Sequence, residues 1–193
     1  MSQPVALSAR KRTATRDRIA TSAAELVAEC GLAAATVERI AERAAIGRAT
    51  FFRYFSSKED AVAEGISRQW LGHITAAVAR QPPALSALEA VIAAFADLGD
   101  GFGQISGQVR ELAILTRSSP ALSAWTLQIY LRYETAIAEL VAPRLNAGPD
   151  DPRPRLIGAL AMASLRIALD DWLVHGGSLP DRVRDALSAL AVE

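Results

Sequence analysis

Residues 31–60 read Gly31-Leu-Ala-Ala-Ala-Thr-Val-Glu-Arg-Ile-Ala-Glu-Arg-Ala-Ala-Ile-Gly-Arg-Ala-Thr-Phe-Phe-Arg-Tyr-Phe-Ser-Ser-Lys-Glu-Asp60. Two short helices are written into this stretch. Thr36 is a good N-cap, Glu38 suits a first turn, and Val37, Ile40, Ala41 and Ala44 recur on one face. Ala45, Ile46 and Gly47 then make a tight turn. A second short helix follows over about 48–55, with Phe51 and Phe55 on one side and Ser56 and Ser57 breaking it. So short a turn keeps the two helices from lying antiparallel, which is the helix-turn-helix arrangement. In that arrangement the later helix enters the major groove of double-stranded DNA while the earlier one crosses the backbone.

The polar side of the second helix suits such a role. Arg48, Thr50, Arg53 and Tyr54 project away from the Phe51–Phe55 side. Arginine can hold guanine through two hydrogen bonds, and Thr or Tyr can bond a phosphate or touch a thymine methyl. Thr36 and Lys58 stand where helices begin, and backbone N–H groups there favour a phosphate. Upstream, Ile19, Ala23, Leu26, Val27 and Cys30 repeat at helical spacing, with Thr13 or Thr15 as a start and Gly31 as a stop. Cys30, the only cysteine, is expected to be a buried structural thiol. Charge is uneven along a chain whose net charge is zero. Residues 1–60 hold ten Lys/Arg against seven Asp/Glu, and the rest hold eleven against fourteen. Arg10, Lys11, Arg12, Arg16 and Arg18 concentrate the excess, a modest sign of a phosphate-binding end.

The remaining residues also read as helices, which makes the chain all-α with about nine helices in 193 residues. Ser57 caps a long helix over 58–80, and Pro82 and Pro83 end it. Further helices are expected over 85–98 (stopped by Gly99, Gly101 and Gly103), 104–117, 120–144 (capped by Ser119), 153–175 and 180–191, with a Gly/Pro/Asp linker over 146–154. The organisation is a helix-turn-helix domain over 10–57 and a helical domain over 58–193. The N-terminus has no signal-peptide core and no apolar run is long enough to span a bilayer, so the expected location is the cytoplasm, without membrane contact. The only histidines, His73 and His175, show no metal-ligand spacing, and no nucleophile elbow or phosphate-cradling glycine loop occurs, so neither an enzyme nor a cofactor is expected.

Residues 10–60 resemble the DNA-binding domain of TetR-family regulators, and the pattern is kept almost throughout the quoted stretch. The resemblance implies DNA contacts at Thr36, Arg48, Ala49, Thr50, Phe52, Arg53, Tyr54 and Lys58. Four positions depart from the family habit. Ala45 and Ala49 stand where glycine is common, Gly47 where serine is common, and Phe52 where tyrosine is common. Gly47 gives up a side-chain cap, and Phe52 cannot donate to a phosphate. These departures leave open a helical protein-interaction module whose helix-turn-helix has drifted from DNA. The 47–55 run, with Arg110-Glu-Leu-Ala-Ile-Leu, Ser119-Pro-Ala-Leu and Arg153-Pro-Arg-Leu, is similar to a branch typified by mycofactocin regulators, which implies an acyl-CoA-like ligand.

In the second domain, large apolar residues recur among a few polar ones. They are core in most helical bundles, but a pocket between helices has the same lining. Phe95, Leu115, Trp125, Ile129, Tyr133 and Met162 are the candidates for binding a small apolar or amphipathic effector, with Arg166 as the group to meet an anionic head. The resemblance implies a homodimer through the last two helices, with Leu156, Leu160, Ala163, Ile167, Leu187 and Leu190 at the seam. Two heads one helical turn apart would then read a near-palindromic operator, as a repressor or an activator.

Overall fold

The computed structural model describes residues 3–100, 102–118 and 120–189, with the side chains of 3–9, 104 and 121 excepted. Among the described residues there are nine α-helices and no strand. They are α1 (Gln3–Ala34), α2 (Val37–Arg43), α3 (Arg48–Tyr54), α4 (Lys58–Arg80), α5 (Ala87–Asp97), α6 (Phe102–Arg117), α7 (Pro120–Val141), α8 (Arg153–His175) and α9 (Leu179–Ala189). A 3-10 turn over Ala142–Leu145 finishes α7, and Asn146 closes it in the left-handed conformation at φ 47°.

Several boundaries differ from the sequence reading for local reasons. α1 begins well before Thr13 and Thr15, so neither caps it, and the Thr15 hydroxyl donates to the Lys11 carbonyl at 2.9 Å inside the helix. Gly31 does interrupt α1, at φ 78° and ψ 164°. α5 starts at Ala87 because Ser86 and Glu89 form a reciprocal capping box. α6 starts at Phe102, so Gly103 lies inside it instead of stopping α5. The Ser119 cap, the Gly101 stop and the end of the last helix at 190–191 lie outside the described residues. Cys30 is exposed, not buried. The apolar stripe of α1 ends at Val27, and the Arg39 guanidinium lies 3.3 Å from the Cys30 sulfur.

Two apolar cores result. The first joins α1 to α4 around Ile19, Leu26, Ile40, Phe51 and Val62. Phe51 has no exposed surface, and burying such a ring is worth about 1.5–3 kcal/mol. The second gathers α4 to α9 around Val78, Val91, Ile137, Met162 and Leu187. α4 is common to both: Ala61, Val62 and Ile66 enter the first core, and Ile74, Ala77 and Val78 enter the second. Trp70, between them, packs against both. α4 can approach α1 closely because Gly65 has no side chain. A Cβ there would stand 2.0 Å from the Ala20 carbonyl oxygen. Gly158 does the same for α8 against α7, where a Cβ would meet the Glu134 carbonyl oxygen at 2.3 Å.

The turn between α2 and α3 is a Schellman motif. The Ile46 N–H bonds the Ala41 carbonyl and the Ala45 N–H bonds the Glu42 carbonyl, at 2.9 and 3.0 Å. The motif forces a positive φ, and Ala45 adopts it at 50°. A left-handed alanine costs about 1–2 kcal/mol, part of which glycine would lose again as unfolded-chain entropy. Ala45→Gly is therefore expected to stabilise the protein by about 0.5–1 kcal/mol, measured as a higher urea midpoint at unchanged m-value. A lower midpoint would show that the turn is not strained.

Candidate nucleic-acid interface and effector cavity

α3 presents a clear division of faces. Phe51 and Phe55 are buried in the first core, with ring centroids 6.0 Å apart. Arg48, Ala49, Phe52 and Arg53 are exposed, and Thr50 and Tyr54 are half-buried at the edges. Gly47 caps the helix without a side-chain bond, as its replacement of serine requires. Arg48 forms an ion pair with Glu38 of α2 and lies 5.4 Å above the Phe52 ring. Both partners are exposed, so the pair is worth at most about 1 kcal/mol and can be exchanged for a phosphate. Arg53 makes no ion pair among the described residues and lies 5.5 Å from the Tyr54 ring centroid. Thr36 is exposed at the start of α2. Its oxygen accepts the Arg39 N–H at 3.3 Å, leaving the hydroxyl proton to donate.

The basic N-terminal cluster divides into two groups. Arg16 donates to the Tyr54 carbonyl at 2.8 Å and stacks on Phe55 at 4.3 Å. Arg18 donates to the Ala44 carbonyl at 2.8 Å. These two arginines satisfy the C-terminal carbonyls of α3 and α2, where a cation also suits the helix dipole. Arg10, Lys11 and Arg12 of the cluster are exposed, as is Arg18, while Arg16 is half-buried. Lys58 is likewise engaged, donating to the Leu32 carbonyl at 2.9 Å. It stands at the first position of α4, beside Glu59 and Asp60.

Glu64 was not singled out by the sequence, yet it is the most connected ionisable group among the described residues. It is 4 % exposed. Arg16 of α1, Arg68 of α4 and Arg132 of α7 approach its carboxylate at 3.7, 3.2 and 3.5 Å. Arg68 also pairs with Asp17 at 2.7 Å. Burial alone would push the carboxyl pKa up, but Arg132 and Arg16, helped by hydrogen bonds from Arg132 and Arg68, hold it below its ordinary value. One turn further along the α4–α7 contact, the Tyr133 hydroxyl donates to the Ser67 carbonyl. Burial raises that phenol's pKa.

Ser67 and Tyr133 also line a cavity of about 850 Å³, mouth included, enclosed by α4 to α9. Of the effector-site candidates named from the sequence, Phe95, Trp125, Ile129 and Tyr133 line it. Three other candidates do not. Leu115 faces a small cleft between α1, α4 and α6. Met162 is buried behind the wall in the second core, and Arg166 is exposed on the outer side of α8. The reason is helical phase. Leu165 and Leu169 of α8 reach the cavity, and Arg166 is about 100° round the helix from Leu165. Leu112 lines the cavity and also packs against the first core.

Comparison with known proteins places this architecture. The family model for bacterial regulatory proteins of the tetR family matches residues 19–64, and the model for the MftR C-terminal domain matches residues 81–193. The chain belongs to the TetR family. It is a DNA-binding transcriptional regulator. It is 34 % identical over 173 residues to the transcriptional regulator TcmR of Streptomyces glaucescens, covering 86 % of this chain and 76 % of that one. It is 29 % identical to the MftR regulator assigned to mycofactocin biosynthesis in Mycobacterium tuberculosis, covering 85 % and 82 % of the two chains. The fold matches that of the TetR-family repressor FadR of Thermus thermophilus, solved with lauroyl-CoA, at a TM-score of 0.67 and 20 % identity over 91 % of this chain and 93 % of that one. A TetR regulator from a Rhodococcus species matches at the same TM-score and 19 % identity, covering 95 % and 98 %.

In this TetR regulator the depressed pKa of Glu64 has a definite sign for stability. Its contribution is present above the ordinary carboxylate pKa and is lost as pH falls through the lower folded value. Glu64→Gln is expected to destabilise the protein by about 2 kcal/mol at pH 7 and to flatten the loss of stability on acidification. Urea unfolding at pH 7 and at mildly acidic pH measures both. An unchanged acid limb would remove Glu64 as its source.

Proposed function

We propose that the chain is a homodimeric repressor that holds a near-palindromic operator with two α3 helices and releases it when a small apolar effector enters the cavity. One observation carries the reading: α4 is at once the floor of the head and a wall of the cavity. Its first turns complete the core of a head formed by residues 10–57, and its later turns supply Ser67, Trp70 and Ile74 to the cavity. An effector that wedges α4 would shift both heads away from the spacing of successive major grooves. It can do so only by binding the splayed form better than the operator-binding form.

On the DNA side, Arg53 is the best-placed base reader, because its guanidinium is exposed and unpaired among the described residues. Arg48 exchanges Glu38 for a phosphate, Thr36 and Tyr54 contact backbone, and Ala49, Thr50 and Phe52 supply shape and methyl contacts. Lys58 acts on phosphate only by leaving the Leu32 carbonyl, so it contributes less than its position at the head of α4 implies. On the dimer side, α8 carries Leu156, Ile167 and Val174 on its outer face, with Leu160 and Ala163 half-buried along the same stripe. Leu156, Ile167 and Val174 are 63, 50 and 77 % exposed. Spacings of three, four and seven residues keep them on one seam. Leu187 is completely buried in the second core and cannot join that seam, while Leu190 lies outside the described residues. The small-molecule effector draws support from the lauroyl-CoA held by the FadR neighbour.

Retardation of the DNA flanking the chain's own gene tests the reading. Specific binding is expected, and binding indifferent to sequence would favour a drifted interaction module. Arg53→Ala should weaken the specific complex by about 1–3 kcal/mol and relax selectivity at one base pair. Equal affinity for operator and base-substituted DNA in both proteins would remove it from the contacts. Ile167→Glu should leave the monomer's helix content unchanged and convert a dimer to a monomer in light scattering. A dimer that survives this change would place the interface elsewhere.

A further inference from the structure

Resting on the reading of the cavity as the effector site, we infer that its ligand is an uncharged, planar aromatic compound carrying hydroxyl groups, not a carboxylate or an acyl-CoA. Three observations lead there.

The first is the distribution of aromatic rings. Seven aromatic residues follow Ser57 in the chain, and six of them line the cavity: Trp70, Phe95, Phe102, Trp125, Tyr130 and Tyr133. The seventh, Trp172, packs edge-on against Phe102 from behind, with centroids 5.7 Å apart. A cavity built only to exclude water from a flexible chain can use leucine throughout. Rings on several sides favour a flat, polarisable guest through stacked and edge contacts.

The second is charge. Among the described residues, none that lines the cavity is Lys, Arg, His, Asp or Glu. The cations near it are already committed. Arg117 of α6, beside Tyr130, pairs with Asp170 and donates to the Ala113 carbonyl. Arg110 lies 5.7 Å from the centre of the Trp172 ring and donates to the Leu173 carbonyl. Arg166 faces solvent. A carboxylate in this wall would be an unpaired buried charge, and the phosphates of an acyl-CoA would find no arginine waiting at the lining.

The third is the direction of the hydroxyls. Thr116 donates to the Leu112 and Ala113 carbonyls, Thr126 to the Leu122 carbonyl, and Tyr133 to the Ser67 carbonyl. Their protons point back into the protein, so these groups offer the cavity only lone pairs. These three acceptor sites on the wall favour a guest that donates hydrogen bonds.

Isothermal titration of the purified full chain, without DNA, tests the ligand class independently of the regulator reading. The probes are a dihydroxyanthraquinone, an anthraquinone carboxylate of the same ring system, and lauroyl-CoA. The dihydroxyanthraquinone is expected to bind at least about tenfold more tightly than either of the others. Trp125→Ala, at a half-buried position, should weaken it by a similar factor while the circular dichroism stays that of the folded chain. Equal or tighter binding of the carboxylate or of lauroyl-CoA, or no binding of the dihydroxyanthraquinone, overturns the inference. Operator retardation by the same preparation reports separately on whether the chain is the DNA-binding repressor proposed.

Discussion

A buried carboxylate on α4 holds the head to the body. Glu64 is surrounded by arginines from α1, α4 and α7, and two of them do something else as well. Arg16 also closes the end of α3 and covers Phe55, and Arg68 also holds Asp17 of α1. Buried ion clusters are poor sources of net stability, because desolvation cancels much of the attraction. They are good at fixing one arrangement, because any slip of α4 leaves an unpaired charge out of water. The orientation of α3 relative to the helical body depends on this cluster.

The close approach of α1 and α4 at Gly65 serves the same end by different means. A backbone oxygen where a Cβ would stand allows no sliding without loss of contact. The head therefore moves with α4 as one piece. Midway along the same helix, Trp70 faces the cavity and touches both cores, and Leu112 of α6 lines the cavity and packs against the first core. Two packed cores that share side chains adjust together or not at all, because interiors at this density have no slack. In the proposed switch, a guest in the cavity would act on the head through these shared residues.

The local readings that succeeded rest on short-range chemistry. Thr36 and Ser57 cap the helices they precede, and α4 and α8 span the residues that periodicity indicated. Partners distant in sequence were not legible. Arg16 and Arg18, read as part of a basic end, and Lys58, read at a helix start that favours a phosphate, each donate to a carbonyl 26 or 38 residues away. Cys30 falls on an apolar spacing at a level of α1 past its buried stripe, where it meets the Arg39 guanidinium of α2 and stays exposed. Arg166 stood among apolar neighbours on a helix that turns it outward.

The sequence by itself determined the helix-turn-helix, its two short helices and their exposed and buried faces. Each of these is set within a few residues by caps, periodicity and one turn. It also determined the family, because that pattern is long and local. Only the tertiary structure decided that Glu64 is the junction, that six rings converge on one cavity without a charge among them, and that Leu187 faces inward while Ile167 faces out. The physical reason is that helical periodicity gives a residue's phase on its own helix. What lies across from that face is set by how helices far apart in the chain cross, and a sequence pattern contains no crossing angle.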